Sequence, residues 1–403
     1  AAGSNVRLLL DWDGSADTGL PMAGLGVDLE SRLGERQLFE YDPAGGRLAR
    51  SPGTGKVTAL PTHSAEAFEI RVALPPALRP NKKSGAGGAV RFFLVDEQQG
   101  GDRLPDSGSV SYQLSGTPVG PVEPIELERR KPENLRLLSL NMADTSIAAH
   151  PERYRRLLRA LKPDILSFQE VRDWSVEQLR AFVAQLFPGR TWHAQGVADC
   201  VTVSPYPIVG SAAVDQNLLV HIDLPAWMGR RDLVLFNVHL PCCSNDADRD
   251  RESDNIAAAW RDLLAGQGPF PIDAANDAVV VLGDFNFVGF RRQLRAIRRG
   301  IFIDSTLGPN FAPGRANGSL SIARARRTHA NTVTTWRRNG SAFAPGRLDF
   351  VFFGRDALRQ VKSYSLDTTE MDNRFRRSHN LRHGDSVRIS DHLPLIADFE
   401  LRK

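Results

Sequence analysis

The sequence predicts two differently built domains, an all-β domain followed by an α/β one. Residues 1–115 offer short apolar stretches punctuated by Gly, Pro and Ser, without helical periodicity. A proline-rich tract follows. From Leu135 onward, apolar strands alternate with amphipathic helical stretches, and strand after strand ends in Asn, Gln-Glu, His or Asp. Strands with intervening helices that keep presenting polar side chains at strand ends predict an α/β sandwich.

In the first domain, Val6–Leu10, Ala67–Leu74, Ala89–Val95 and Ser109–Leu114 are the strand candidates, and Ser84–Gly88 reads as a turn. A small β-sandwich is the expected product, with a weak likeness to carbohydrate-binding modules through Leu10-Asp-Trp12 and Phe68–Val72. A glycan or surface ligand is therefore an expectation for this domain. Asp11, Asp13 and Asp17 surround a glycine at spacings that suit calcium, but no bidentate Glu follows, so Asx turns are the plainer reading. Residues 116–133 carry linker composition, prolines and then a charge cluster.

In the second domain, residues 134–403, Leu135–Leu140 is a strand ending at Asn141, and Pro151–Leu161 is a helix with Pro in its first turn. Asp164–Phe168 is a strand ending in Gln169-Glu170, and Ser175–Leu186 is an amphipathic helix. Asp232–Leu240, Leu348–Phe353 and Leu393–Leu401 read as strands, and Arg249–Leu264 as a helix. Val279–Asn286 is a β-branched strand closing on Gly-Asp-Phe-Asn, which puts Asp284 and Asn286 together at its tip. No internal repeat is visible.

Hydrophobic residues make up 41% and charged residues 24%, ordinary globular composition. No apolar run approaches the ~20 residues of a membrane span. The chain starts at Ala with no leader-like stretch, which fits a secreted or periplasmic protein after processing, expected as a monomer. Net charge is +4, yet residues 287–350 hold 12 Arg, no Lys and only Asp304 and Asp349. That stretch carries +10 and leaves the remainder at −6, so an anionic partner is expected. Three cysteines leave one thiol over if Cys200 bonds Cys242 or Cys243, a loop of about 42 residues worth roughly 4 kcal/mol in the chain-entropy model.

Collected along the chain, Leu138-Ser-Leu-Asn141, Phe168-Gln-Glu170, Asn237-Val-His-Leu240, Gly283-Asp-Phe-Asn286, Arg347-Leu-Asp349 and Ser390-Asp-His392 form a series. Any one of them alone is an ordinary strand end or turn. In this order they resemble the endonuclease/exonuclease/phosphatase superfamily of metal-dependent phosphoesterases, over residues 134–403. The family includes pancreatic-type deoxyribonucleases, sphingomyelinases and inositol-polyphosphate phosphatases. The resemblance implies a four-layered α/β/β/α sandwich with the site at one rim.

It also implies roles. Glu170 would be the principal metal ligand, with Asn141 and Asp391, for magnesium or alternatively manganese or calcium; few carboxylates and many waters suit magnesium. His392 would pair with Asp349 and act at the phosphate or the attacking water, and His239 would donate to a phosphoryl or leaving oxygen. Asp284 would orient the water or protonate the leaving group, and Asn286 would bond a phosphoryl oxygen. A phosphate-contacting Arg that the family carries in a Ser-Arg-Tyr-Pro run is Pro205 here. His150, His193, His221, His329, His379 and His383 match no motif. Arg291, Arg292, Arg337 and Arg338 are the candidate phosphate-backbone contacts, so nucleic acid is the expected substrate. The alternatives are a sphingomyelinase-type activity, though no aromatic hairpin stands ready for a membrane, an inositol-phosphate phosphatase, or a binding protein acting through the first domain.

Overall fold

The computed structural model describes residues 5–75, 86–115, 122–143, 147–229, 231–315 and 318–402. It divides into two units, Ala1–Pro121 with Arg337–Gly346, and Val122–Trp336 with Arg347–Lys403.

The first unit is all-β. Its main sheet is antiparallel, in the order Arg103–Leu104, Ala86–Asp96, Val6–Asp11, Leu29–Arg32, Gln37–Tyr41, Arg47–Arg50, with Val110–Ser115 also paired to Ala86–Asp96. The alternation of Val6–Asp11 sends Leu8 and Leu10 to one face and Leu9 to the other. A two-stranded hairpin covers each face: Val57–Leu60 with Glu69–Val72 on one, Leu20–Met22 with Leu25–Val27 on the other. The expected turn at 84–88 lies partly outside the described residues, and from Ala86 it is strand. The Asp11–Asp17 stretch is capped locally: Asp11 Oδ1 accepts from Gly14 N and Asp13 Oδ1 from Ser15 N.

The second unit is built on two sheets of matching plan. The first runs His193–Val197, Cys200–Ser204, Ile165–Gln169, Leu135–Asn141, Leu395–Leu401, Leu358–Ser365, Arg326–Arg327. The second runs Ile208–Val214, Asn217–Ile222, Leu233–His239, Ala278–Asp284, Asp349–Phe353, Ser321–Ile322. Each holds one central parallel pair, with a hairpin on one side and an antiparallel return on the other. The likeness lies in the pairing and leaves no repeat in the residues.

One apolar core joins the sheets, with Leu135, Leu137, Ile165 and Phe399 meeting Leu218, Leu235, Val280 and Leu282. A second core packs the helices Pro151–Leu161 and Val176–Leu186 on the first sheet, and a third packs Asp246–Leu264 and Arg291–Arg299 on the second. Ser175 caps its helix with a full capping box closed by Gln178.

Two expectations change here. Residues 116–121 lie outside the described residues, but 122–133 are not a spacer: Leu127 is fully buried and Arg129 pairs with Asp164 at 2.6 Å. Apolar Ile125 and Leu127 between the prolines and charges suit the docking. The disulfide does not form. Cys200 is buried between the sheets, whereas Cys242 and Cys243 are exposed in the loop after His239, and all three are free.

Arg136 is a fully buried cation of the second unit, joined to Asp398 through two bonds of 2.6 and 2.7 Å. Arg136→Leu leaves that carboxylate buried and unpaired and should cost about 3–5 kcal/mol in urea unfolding. Adding Asp398→Leu should recover most of the loss; a single variant as stable as the parent contradicts the account.

Candidate active site

Parallel pairing does most of the assembly. Leu135–Asn141 lies beside Ile165–Gln169 with Asn141 opposite Gln169, and Leu233–His239 beside Ala278–Asp284 with His239 opposite Asp284. The carboxyl ends of both pairs therefore bring Asn141, Glu170, His239 and Asp284 together, as open α/β sheets tend to do. Below them, Gln169 Nε2 donates to Asn237 Oδ1 at 2.6 Å, and Asn237 Nδ2 donates to the Phe168 carbonyl at 3.0 Å. This buried polar link fixes the register of one sheet against the other.

The close approach at Asp284 depends on Gly283. Its φ is +140°, and a Cβ there would meet the Val238 carbonyl oxygen at 1.9 Å. Asp284 is 1% exposed. Its Oδ2 accepts from Asn141 Nδ2 and from Asn286 Nδ2, each at 3.0 Å, and its Oδ1 accepts from Asn286 N at 3.0 Å. Burial raises its pKa and the charge of Asp349 adds to that, while His392 and His239 oppose.

Each histidine is held by a carboxylate on Nδ1 and turns Nε2 toward Asp284. His392 bonds Asp349 at 2.9 Å and places Nε2 3.6 Å from Asp284 Oδ2. His239 bonds Asp199 at 3.0 Å and places Nε2 3.6 Å from Glu170 Oε1 and 4.0 Å from Asp284 Oδ2. Burial lowers the pKa of both, and the surrounding carboxylates outweigh it, bringing His392 up to about 10 and His239 to about 9. Both imidazoles are thus charged at neutral pH and can donate from Nε2. Thr335 Oγ1 accepts from the backbone of Leu348 and Asp349, and Ser390 Oγ accepts from His392 N while donating to the Asn141 carbonyl.

The donor set suits a hard divalent cation. Carboxylate oxygens of Glu170 and Asp284 lie within 4.8 Å of each other and of His239 Nε2, so the two acids are the ligands on offer beside a charged imidazole, and Glu170 is turned inward by a left-handed backbone at φ +55°. Asn141 Nδ2 donates to Glu170 Oε1 at 2.8 Å, and its Oδ1 accepts from Ala143 N, leaving one lone pair for an ion.

Other candidates are placed differently. Asp391 belongs to no acid–histidine group among the described residues, although its charge helps to raise the pKa of His392. Asn286 has left the strand at φ +46° and donates to the Leu240 carbonyl and to Asp284, so its amide braces the carboxylate. Arg292 pairs with Asp250. Arg337 and Arg338 belong to the first unit, not to the unit that carries this site. Elsewhere in the basic strip, Arg327 pairs with Asp367 and Glu370, and half-buried Arg347 lies over Phe350 at 4.4 Å. Asp199, the anchor of His239, lies outside every motif, in the tight turn of the hairpin His193–Val197 with Cys200–Ser204. Its only sequence signal is an acid beside a turn.

The family model for the endonuclease/exonuclease/phosphatase family matches residues 138–392. No curated protein matched the sequence. Among solved structures, a Bacteroides vulgatus endonuclease/exonuclease/phosphatase is 15% identical, covering 67% of this chain and 99% of its own at a TM-score of 0.45. The human nocturnin catalytic domain is also 15% identical, over 67% and 95%, at 0.42. ANGEL2, a 2′,3′-cyclic phosphatase, is 15% identical, over 66% and 96%, at 0.43.

The raised histidine pKa values have a consequence for stability in chelator-treated protein. A group that binds its proton more tightly when folded stabilises fully below its ordinary pKa of 6.5 and loses that contribution as pH rises through the folded value. Unfolding free energy should therefore fall between pH 7 and 10, by up to about 1.4 kcal/mol per pH unit for each histidine. Asp349→Asn should flatten the fall. A slope unchanged in that variant refutes the coupling.

Proposed function

Because the chain belongs to the endonuclease/exonuclease/phosphatase family, whose enzymes hydrolyse phosphoester bonds, we propose that it is a divalent-metal-dependent phosphodiesterase acting on nucleic acid. The observation that carries this reading is the meeting of Glu170, His239, Asp284 and the Asp349–His392 pair at one rim of two sheets. The three apolar cores, helix on sheet, sheet on sheet and sheet on helix, support the four-layered α/β/β/α arrangement.

A bound cation, with magnesium as the choice for this oxygen-rich and sparsely charged shell, would polarise a phosphoryl oxygen. Glu170 would be its principal ligand, with Asn141 beside it. His392, held by Asp349, keeps a proton on Nε2 and offers it to the phosphoryl group, where negative charge grows in the transition state. His239, held by Asp199, does the same from the Glu170 side. Asp284 is close to both and has a pKa raised by burial, which fits it to take a proton from the attacking water. Asn286 and Asn141 fix the direction of its lone pairs.

The nucleic-acid preference rests on the helix Arg291–Arg299, which begins five residues beyond Asn286. Arg291, Arg295 and Arg299 are exposed at four-residue spacing, while Leu294, Ala296 and Ile297 are buried. Such a stripe suits a run of phosphates.

Nicking of supercoiled plasmid tests the proposal. Magnesium-dependent nicking is expected, abolished by chelator and by Glu170→Ala, and slowed at least about 100-fold by Asp284→Asn. In Arg291→Ala/Arg295→Ala substrate binding should weaken and its salt dependence should become shallower, because fewer counterions are released. No nicking with any divalent metal removes the nucleic-acid reading and turns the search to sphingomyelin and inositol phosphates.

A further inference from the structure

At the opposite end of the second sheet a separate cluster has no part in this chemistry. His221 comes from the strand Asn217–Ile222, and Asp232 and Asp277 immediately precede the strands Leu233–His239 and Ala278–Asp284. The two acids thus sit at the entry of the same parallel pair that ends at His239 and Asp284. His221 is 8% exposed, and its Nε2 is buried without a hydrogen bond. That atom lies 3.3 Å from Asp232 Oδ2 and 3.5 Å from Asp277 Oδ2.

We infer that His221, Asp232 and Asp277 form a second metal site, for a divalent transition ion of the zinc type. An imidazole nitrogen facing two carboxylate oxygens requires positive charge between them, supplied either by a proton or by a metal. A proton would draw Nε2 to one oxygen, at the ~2.7–2.9 Å of a charge-assisted hydrogen bond. The observed pair of distances is instead nearly even and longer. Ligands about 2.0–2.2 Å from a tetrahedral ion stand roughly 3.3–3.5 Å apart, which is this spacing. One imidazole with two carboxylates is a donor set for zinc rather than for calcium or magnesium.

The surroundings are built to hold these atoms. Asp277 Oδ1 accepts from Asp232 N at 3.0 Å and its Oδ2 from Asp273 N at 2.8 Å; Asp232 Oδ1 accepts from Leu224 N, which leaves Oδ2 toward the imidazole. The Phe270 ring stacks on His221 with centroids 5.6 Å apart. It can lie there because Gly210, opposite His221 in the sheet, has no side chain: a Cβ would meet the ring at 2.7 Å. Asp232 is half-exposed, so an ion can enter and water can complete its shell. Bound metal would tie the entry ends of Leu233–His239 and Ala278–Asp284 to the carboxyl end of the antiparallel strand Asn217–Ile222.

Zinc titration of the chelator-stripped full chain by calorimetry decides the matter, alongside His221→Ala, Asp232→Asn and Glu170→Ala. The expected result is a zinc site that Glu170→Ala retains, that His221→Ala abolishes, and that Asp232→Asn weakens at least about tenfold, the loss seen even for residues that only support a ligand. Zinc should raise the melting temperature of the Glu170→Ala protein and not that of Glu170→Ala/Asp232→Asn. If His221→Ala fails to fold, Asp232→Asn, which keeps size and shape at a half-exposed position, still decides. Zinc binding unchanged in both ligand variants, or no zinc site left in Glu170→Ala, overturns the inference. Because the reading is made in an inactive variant, it stands or falls separately from the nicking result.

Discussion

The catalytic unit depends on one buried carboxylate. Asp284 takes hydrogen bonds from Asn141 of the first sheet and from Asn286 just beyond its own strand, and it faces the Nε2 atoms of His392 and His239. An almost fully buried acid is tolerated only where donors and opposite charges surround it. Those surroundings are also the constellation proposed to react. Gly283 allows this, because any side chain there would push the Ala278–Asp284 strand away from the Val238 carbonyl and take Asp284 out of line with His239.

The order of polar strand ends made much of this legible. Asn141, Glu170, His239, Asp284, Asp349 and His392 stand in the sequence as terminators of apolar runs, and a strand's direction alone sends such residues to one rim. Pairings between distant turns are not written that way. Asp199 holds His239 through a hairpin with low apolar contrast, and nothing local distinguishes it from other turn acids. Charge counting likewise found the arginine-rich stretch without its partners. Arg327 is closed inside by Asp367 and Glu370, and exposed Arg292 is paired with Asp250, so only part of the +10 faces outward uncompensated. The segment after Val122 failed for a related reason: prolines and charges outweighed two apolar residues in composition, whereas burial of Leu127 decides in the folded chain.

Electrostatics connects the two ends of the second sheet. At the exit rim, Glu170, Asp199, Asp284 and Asp349 face two charged imidazoles, with Arg172 of the exposed surface 3.7 Å from Asp199. Four carboxylates against two imidazolium charges leave an excess of two, which Arg172 reduces to one, so the cluster favours a bound cation. At the entry rim, Asp232 and Asp277 face a single imidazole whose pKa is raised, the neighbouring carboxylates outweighing burial. With a metal in place of its proton, the two carboxylates there leave an excess of two, the charge of one divalent cation. Both clusters hang on Leu233–His239 and Ala278–Asp284, so anchoring the entry ends restrains the two strands whose tips must hold His239 opposite Asp284. An ion at the entry rim would therefore act on the register of the exit rim through the backbone of seven paired residues, with no need to touch the substrate.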